Sequence, residues 1–213
     1  MQKKYDLIVI GGGEAGIEAA LCSSELGASV CLIEKKKDVG GACVDTGTLP
    51  SKVFGITAKI IESLKKAEKF GINIEGSVKV DIQNILNSRL RTTRCEIGLF
   101  NRILKKHNID VLTGTAKLRD KNRVDVIQGD RESGMLEADK IILATGSKPV
   151  ELPGFPFDGK TTLSTDDLLG LEIIPKTILI VGAGSIGCEY AYIFNVLGSE
   201  VILIEQRDHP LWG

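Results

Sequence analysis

A strand, a glycine turn and a helix, followed by a strand that ends in an acid, occur twice in this 213-residue chain with the same spacing. The first copy reads Leu7-Ile-Val-Ile-Gly11-Gly-Gly13-Glu14-Ala15-Gly16, then a helical pattern over 14–26, then Val30-Cys-Leu-Ile-Glu34. The second reads Ile178-Leu-Ile-Val-Gly182-Ala-Gly184-Ser185-Ile186-Gly187, a helical pattern over 185–197, and Val201-Ile-Leu-Ile-Glu205. Each acid follows its third glycine by 18 residues, and Glu18 and Leu26-Gly27 recur as Glu189 and Leu197-Gly198. The match points to duplication of a whole βαβ unit, which commits the chain to parallel sheet covered by helices.

The spacing has a chemical reason. A buried strand running through a tight glycine turn into a helix aims unpaired N–H groups and the positive helix end at one point, where a pyrophosphate fits. The first glycine permits the turn, the second lets backbone approach the phosphates, and the third lets helix and strand pack closely. A carboxylate ending the next strand accepts hydrogen bonds from ribose hydroxyls and repels a 2′-phosphate. Two dinucleotides are therefore expected, and Glu205 favours NAD over NADP at the second site.

Composition narrows the rest. With 43% hydrophobic residues and a net charge of −1, the chain has a globular composition and no electrostatic case for nucleic acid. Lys35-Lys36-Lys37 and Lys65-Lys66 read as solvated faces. No run approaches a membrane span and none resembles a signal peptide, so a cytoplasmic protein without membrane partners is expected. The five cysteines form no CxxC pair and no metal-ligand spacing. Neither a metal site nor a disulfide framework is expected, and Cys22, Cys31, Cys95 and Cys188 read as small buried residues.

Between the repeats, helices are expected over 51–70, with Ile60, Ile61, Leu64 and Phe70 at helical spacing, and over 81–107, capped by Asp81. The two would pair on one sheet face. A strand over 109–112 precedes a meander over 114–118, 124–127 and 136–138, turning at Asp120-Lys121-Asn122 and Gly129-Asp130, and a buried strand returns over 141–144. Prolines and glycines mark 149–175 as a linker. The expected organisation is a first nucleotide domain over 1–148, the linker, and an incomplete second one over 176–213, since too few residues follow Pro175 for an independent domain of at least about 50. His107 and His209 read as structural, one of them closing a helix.

Gly40-Gly41-Ala42-Cys43-Val-Asp-Thr-Gly-Thr48-Leu-Pro50-Ser-Lys52 resembles the active-site segment of the pyridine nucleotide-disulfide oxidoreductases, whose pattern is GGxCxxxxCxPSK. The resemblance extends to Ala144-Thr145-Gly146, to Pro153-Gly154 and to the run from Gly182 through Glu189, and covers the whole chain. It implies a Rossmann-like α/β fold: an FAD-binding domain with parallel sheet, antiparallel meander and long helical pair, then the first βαβ unit of an NAD-binding domain. It further implies FAD on Gly11, Gly13, Glu14, Ala15, Gly16, Glu34, Lys35, Gly41, Ala42, Cys43, Lys52, Ala116, Ala144, Thr145 and Gly146. NAD(H) or NADP(H) is implied on Gly182, Gly184, Ser185, Ile186, Gly187 and Glu205. Lys52 takes the role of an ammonium that stabilises charge on reduced flavin, and Glu189 that of its ion-pair partner.

One residue departs from the pattern. Thr48 stands where members with a redox disulfide carry their second cysteine, and a hydroxyl cannot form a disulfide, which leaves Cys43 without its usual partner. This arrangement is similar to that of the soluble pyridine nucleotide transhydrogenases of the same family, although Glu205 is unsuited to NADP. The resemblance implies a homodimeric parent whose catalytic histidine and dimerisation domain are not in this chain, and a first sheet with one open edge. Three readings follow: an FAD-dependent oxidoreductase of transhydrogenase type, a catalytically silent dinucleotide-binding fragment, or a dihydrolipoamide dehydrogenase relative left with diaphorase activity.

Overall fold

The computed structural model describes residues 3–129 and 131–211. In chain order the elements are β1 (Lys4–Ile10), α1 (Glu14–Glu25), β2 (Val30–Glu34), α2 (Gly41–Asp45), α3 (Thr48–Lys66) and α4 (Ile82–Lys106), then β3 (Asp110–Thr113), β4 (Thr115–Leu118), β5 (Arg123–Gln128) and β6 (Arg131–Leu143). They end with β7 (Thr177–Val181), α5 (Ser185–Leu197) and β8 (Glu200–Ile204). The chain divides into two compact units, one formed up to Gly47 and over Thr92–Gly154, the other over Thr48–Arg91 and from Phe155 onward.

The first unit is a six-stranded sheet in the order β3-β2-β1-β6-β5-β4. β3, β2, β1 and the end of β6 run parallel, while β4, β5 and the start of β6 form an antiparallel meander. Every residue of β2 is buried, as a parallel strand covered on both faces requires. Successive side chains point to opposite faces, so Leu7 and Val9 pack with Ile17 and Ala20 of α1 and Leu104 of α4. Ile8 and Ile10 pack on the other side with Val124 and Val126 of β5. Cys31 lies in this second cluster, where burial pushes its thiol up to about 12.

The second unit pairs β7 and β8 in parallel. Phe54 and Ala58 of α3, Ile85 of α4, and Tyr190, Ile193 and Phe194 of α5 form its core. Asp81 caps α4, its Oδ1 accepting the Asn84 backbone N–H at 3.1 Å. The Tyr190 hydroxyl is buried without a hydrogen-bond partner among the described residues. Burial, with Glu189 and Asp166 adding to it, pushes the phenol up to about 12. Leaving a polar group unpaired in an apolar setting costs about 1–3 kcal/mol. Tyr190→Phe should therefore keep or raise the melting temperature, by up to about 4 °C for each kcal/mol regained, and thermal unfolding would expose a hidden partner as a clear drop.

Several expectations change. Segments 136–138 and 141–144 are one strand, β6, which exchanges its antiparallel partner for a parallel one at Glu137; Lys140 pairs with Leu7 of β1, so the strand runs through. Beyond Glu137, β6 ladders with β1, and on its other side the Asn122 carbonyl accepts the Ala138 N–H at 2.8 Å. The turn at 120–122 forms, with Asp120 Oδ1 accepting the backbone N–H groups of Asn122 and Arg123, both at 2.9 Å. The turn expected at Gly129-Asp130 lies partly outside the described residues. α3 begins at Thr48 and is followed by a 3₁₀ turn at Ala67–Phe70. It packs on α5, shares the core of the second unit with Ile85 of α4, and buries Phe54, Ala58 and Ile61 while Ile60, Leu64 and Phe70 are exposed. By compactness, residues 48–91 group with the second unit. Cys22 and Cys95 are exposed, not buried, because each lies off the core-facing stripe of its helix. No helix among the described residues is long and apolar enough to cross a membrane.

Candidate functional site

The first cradle is built where β1 ends. Gly11 adopts φ +110°, and a Cβ there would lie 2.2 Å from the Ala144 carbonyl oxygen. A Cβ on Gly16 would lie 1.8 Å from the Gly11 carbonyl oxygen, so both positions exclude any side chain. Gly13 starts α1 in an extended conformation and has no side chain to cap it, leaving the first-turn amides open to a ligand. The glycine pair of the next loop seals the back of the turn: the Gly40 N–H donates to the Gly12 carbonyl at 2.7 Å, and a Cβ on Gly41 would meet Gly13 Cα at 2.7 Å. Glu34 closes the cradle, its Oε2 accepting the Gly12 N–H at 2.6 Å and its Oε1 the Lys36 N–H at 2.8 Å. A cavity of about 150 Å³ opens at these carboxyl ends, lined by Gly11, Glu34, Lys35, Ala116 and Thr145 together with Ile10, Ile33, Gly114 and Thr115.

The second cradle repeats this construction within the second unit. Gly182 has φ +101°, and a Cβ on Gly187 would lie 1.9 Å from the Gly182 carbonyl oxygen. Gly184 starts α5 as Gly13 starts α1. Glu205 Oε2 accepts the Ala183 N–H at 2.7 Å and Oε1 the Arg207 N–H at 2.9 Å. These backbone donors, Arg207 foremost, hold the Glu205 carboxyl below its ordinary range. One helical turn beyond Ser185, Glu189 Oε1 lies 2.7 Å from Lys52 Nζ on α3. The fit to dinucleotides is steric and polar: backbone where a Cβ would intrude, open amides at a helix start, and a carboxylate fixed at the rim of each turn.

A family model for pyridine nucleotide-disulphide oxidoreductases matches residues 5–213. The chain belongs to this family. Among pyridine nucleotide-disulphide oxidoreductases it is 38% identical over 203 residues to a dihydrolipoyl dehydrogenase of Bacillus subtilis (strain 168), covering 95% of this chain and 44% of that protein. It is 33% identical over 210 residues to a soluble pyridine nucleotide transhydrogenase of Mycobacterium bovis (strain BCG / Pasteur 1173P2), covering 98% and 45%. A dihydrolipoyl dehydrogenase of Chlamydia pneumoniae is 36% identical over 211 residues, covering 99% and 45%. The chain thus spans under half the length of these relatives.

The other residues that the sequence singled out lie on the helices and loops of the two units. Glu14 and Ala15 are exposed on the first turn of α1, Ala42 and the half-buried Cys43 lie on α2, and Gly146 follows β6 at φ +72°. Ser185 and Ile186 are exposed at the start of α5, and Thr48 is the exposed first residue of α3. Sequence reasoning missed Gly114, whose N–H donates to the Glu34 carbonyl at 2.8 Å and where a Cβ would meet Val126 Cγ1 at 2.7 Å. Its only local signal is a glycine at the end of a short strand.

Proposed function

We propose that this chain serves an FAD-dependent oxidoreductase that transfers hydride between NAD(P)H and flavin without a redox disulfide, most like a soluble pyridine nucleotide transhydrogenase. The observation that carries the reading is the pair of matched cradles in one chain, together with the Lys52–Glu189 ion pair of the second unit and Thr48 at the second redox-cysteine position. The backbone of Gly11–Gly16 and the first turn of α1 hold one pyrophosphate, and Glu34 holds the adjoining ribose. Gly182–Gly187 and Glu205 do the same for the nicotinamide nucleotide. Bound flavin supplies a hydride acceptor that no side chain offers. Lys52 contributes positive charge that favours the reduced form, and Glu189 fixes the ammonium's orientation. The parent enzyme works as a cytoplasmic homodimer.

Anaerobic mixing with NADH should bleach bound flavin without raising the long-wavelength band of a thiolate beside oxidised flavin. Full flavin absorbance under excess NADH, or appearance of that band, contradicts the reading. Resemblance to the dihydrolipoyl dehydrogenases favours a second reading, in which Thr48 leaves an NADH-dependent diaphorase. Assays with thio-NADP and with lipoamide separate the two.

A further inference from the structure

We propose that the first unit carries a second ligand site, at the opposite end of its sheet from the dinucleotide cradle, which takes a small carboxylate on an apolar stem. A cavity of about 420 Å³ lies between the last turns of α4 and the edge strand β3, lined by Asn101, Leu104 and Lys105 and by residues 108–111. Its size suits a small molecule, whose sites span about 300–1,000 Å³. The length of β3 separates it from the cradle: Thr113 pairs with Glu34 at the carboxyl end, and Asp110 with Cys31 at the amino end. Every residue that forms it belongs to the first unit.

Position 108 gives the first sign. Four helical segments close in the same way: a residue in the left-handed region donates its N–H to the carbonyl three residues back, and the next residue donates to the carbonyl five back. At three of these closures the left-handed residue is glycine, Gly27, Gly71 and Gly198, but at the end of α4 it is Asn108, at φ +54°. Glycine meets that conformation at the least cost, so the backbone does not account for the amide. Among the described residues no hydrogen bond engages the side chains of Asn101, Lys105 or Asn108, and all three line the cavity. It therefore offers an ammonium and two amides. Negative groups close by are already met. The end of a helix repels an anion through its free carbonyls, but those of Ile103, Leu104, Lys105 and His107 accept the His107, Ile109 and Asn108 N–H groups and the Ser24 hydroxyl. Asp110 accepts the Lys3 ammonium and the Tyr5 hydroxyl on one oxygen. Leu104 and Ile109, both buried, and Val111 supply an apolar wall. A carboxylate finds a cation and N–H donors there, and its stem a surface that burial favours.

Nuclear magnetic resonance titration of the chain with hexanoate, hexanamide, hexylamine and inorganic phosphate tests this. Hexanoate should shift the amide signals of residues 101–111 and bind about tenfold more tightly than hexanamide, the difference that one charge-assisted contact makes. Hexylamine has the wrong charge and phosphate no stem, so neither should compete with it. Lys105→Gln and Asn108→Gly should each weaken hexanoate about tenfold. Glycine suits the closure at 108, so Asn108→Gly should keep its melting temperature, and its loss of binding is then not a loss of fold. Hexanamide, hexylamine or phosphate binding as tightly as hexanoate overturns the assignment. So does hexanoate binding that both variants leave undiminished, or hexanoate that leaves residues 101–111 unshifted.

Discussion

Gly16→Ala is expected to leave the first cradle unable to retain flavin, and Gly187→Ala to do the same for nicotinamide nucleotide at the second. The new Cβ would lie 1.8 Å or 1.9 Å from a backbone oxygen, which no rotamer change can relieve. In the first cradle the turn cannot move away either. Its Gly11 N–H donates to the Ile33 carbonyl at 2.8 Å, and the Ala144 carbonyl stands against its Cα. Helix α1 must then shift off β1, withdrawing the amides that face the phosphates, at a cost of about 3 kcal/mol as for overpacking at other well-packed positions. Flavin absorbance per chain and the melting temperature read the two effects. A Gly16→Ala chain that keeps stoichiometric flavin would show that helix and strand need not approach closely for binding.

Lys52→Met should slow reduction of the flavin by NADH about 100-fold, the usual cost of removing one group that stabilises developing charge. Stability should hardly change. The Lys52 and Glu189 side chains are 58% and 32% exposed, and ion pairs at such sites contribute about 0–1 kcal/mol. Stopped-flow reduction and thermal unfolding, measured on the same variant, therefore separate a chemical role from a structural one. An unchanged reduction rate removes Lys52 from the chemistry, and an equal loss of stability and rate assigns the pair to holding α3 on α5.

The cradles were legible in the sequence because their requirements are local: Gly16 and Gly187 are each demanded by a carbonyl of their own turn, Gly11 and Gly182 by a positive φ, and each acid meets an N–H in that turn. Elements whose partners lie far along the chain were not. β6 changes neighbours midway, and nothing in its own residues marks the change at Glu137. Helical spacing in α3 offered a stripe through Ile60, Ile61, Leu64 and Phe70; of these Ile61 is buried, while the rest of the buried face runs through Phe54 and Ala58, because α5 supplies the matching surface. Gly114 escaped notice for the same reason, since the side chain that crowds it, Val126, belongs to another strand. Periodicity names a face but not what will cover it.

Equilibrium titration of a cofactor-stripped chain with FAD and with NADH, alone and together, tests the paired cradles most directly. One equivalent of each should bind without displacing the other, with Gly16→Ala abolishing only FAD binding and Gly187→Ala only NADH binding. A single shared equivalent, with the two nucleotides displacing one another, would contradict the account.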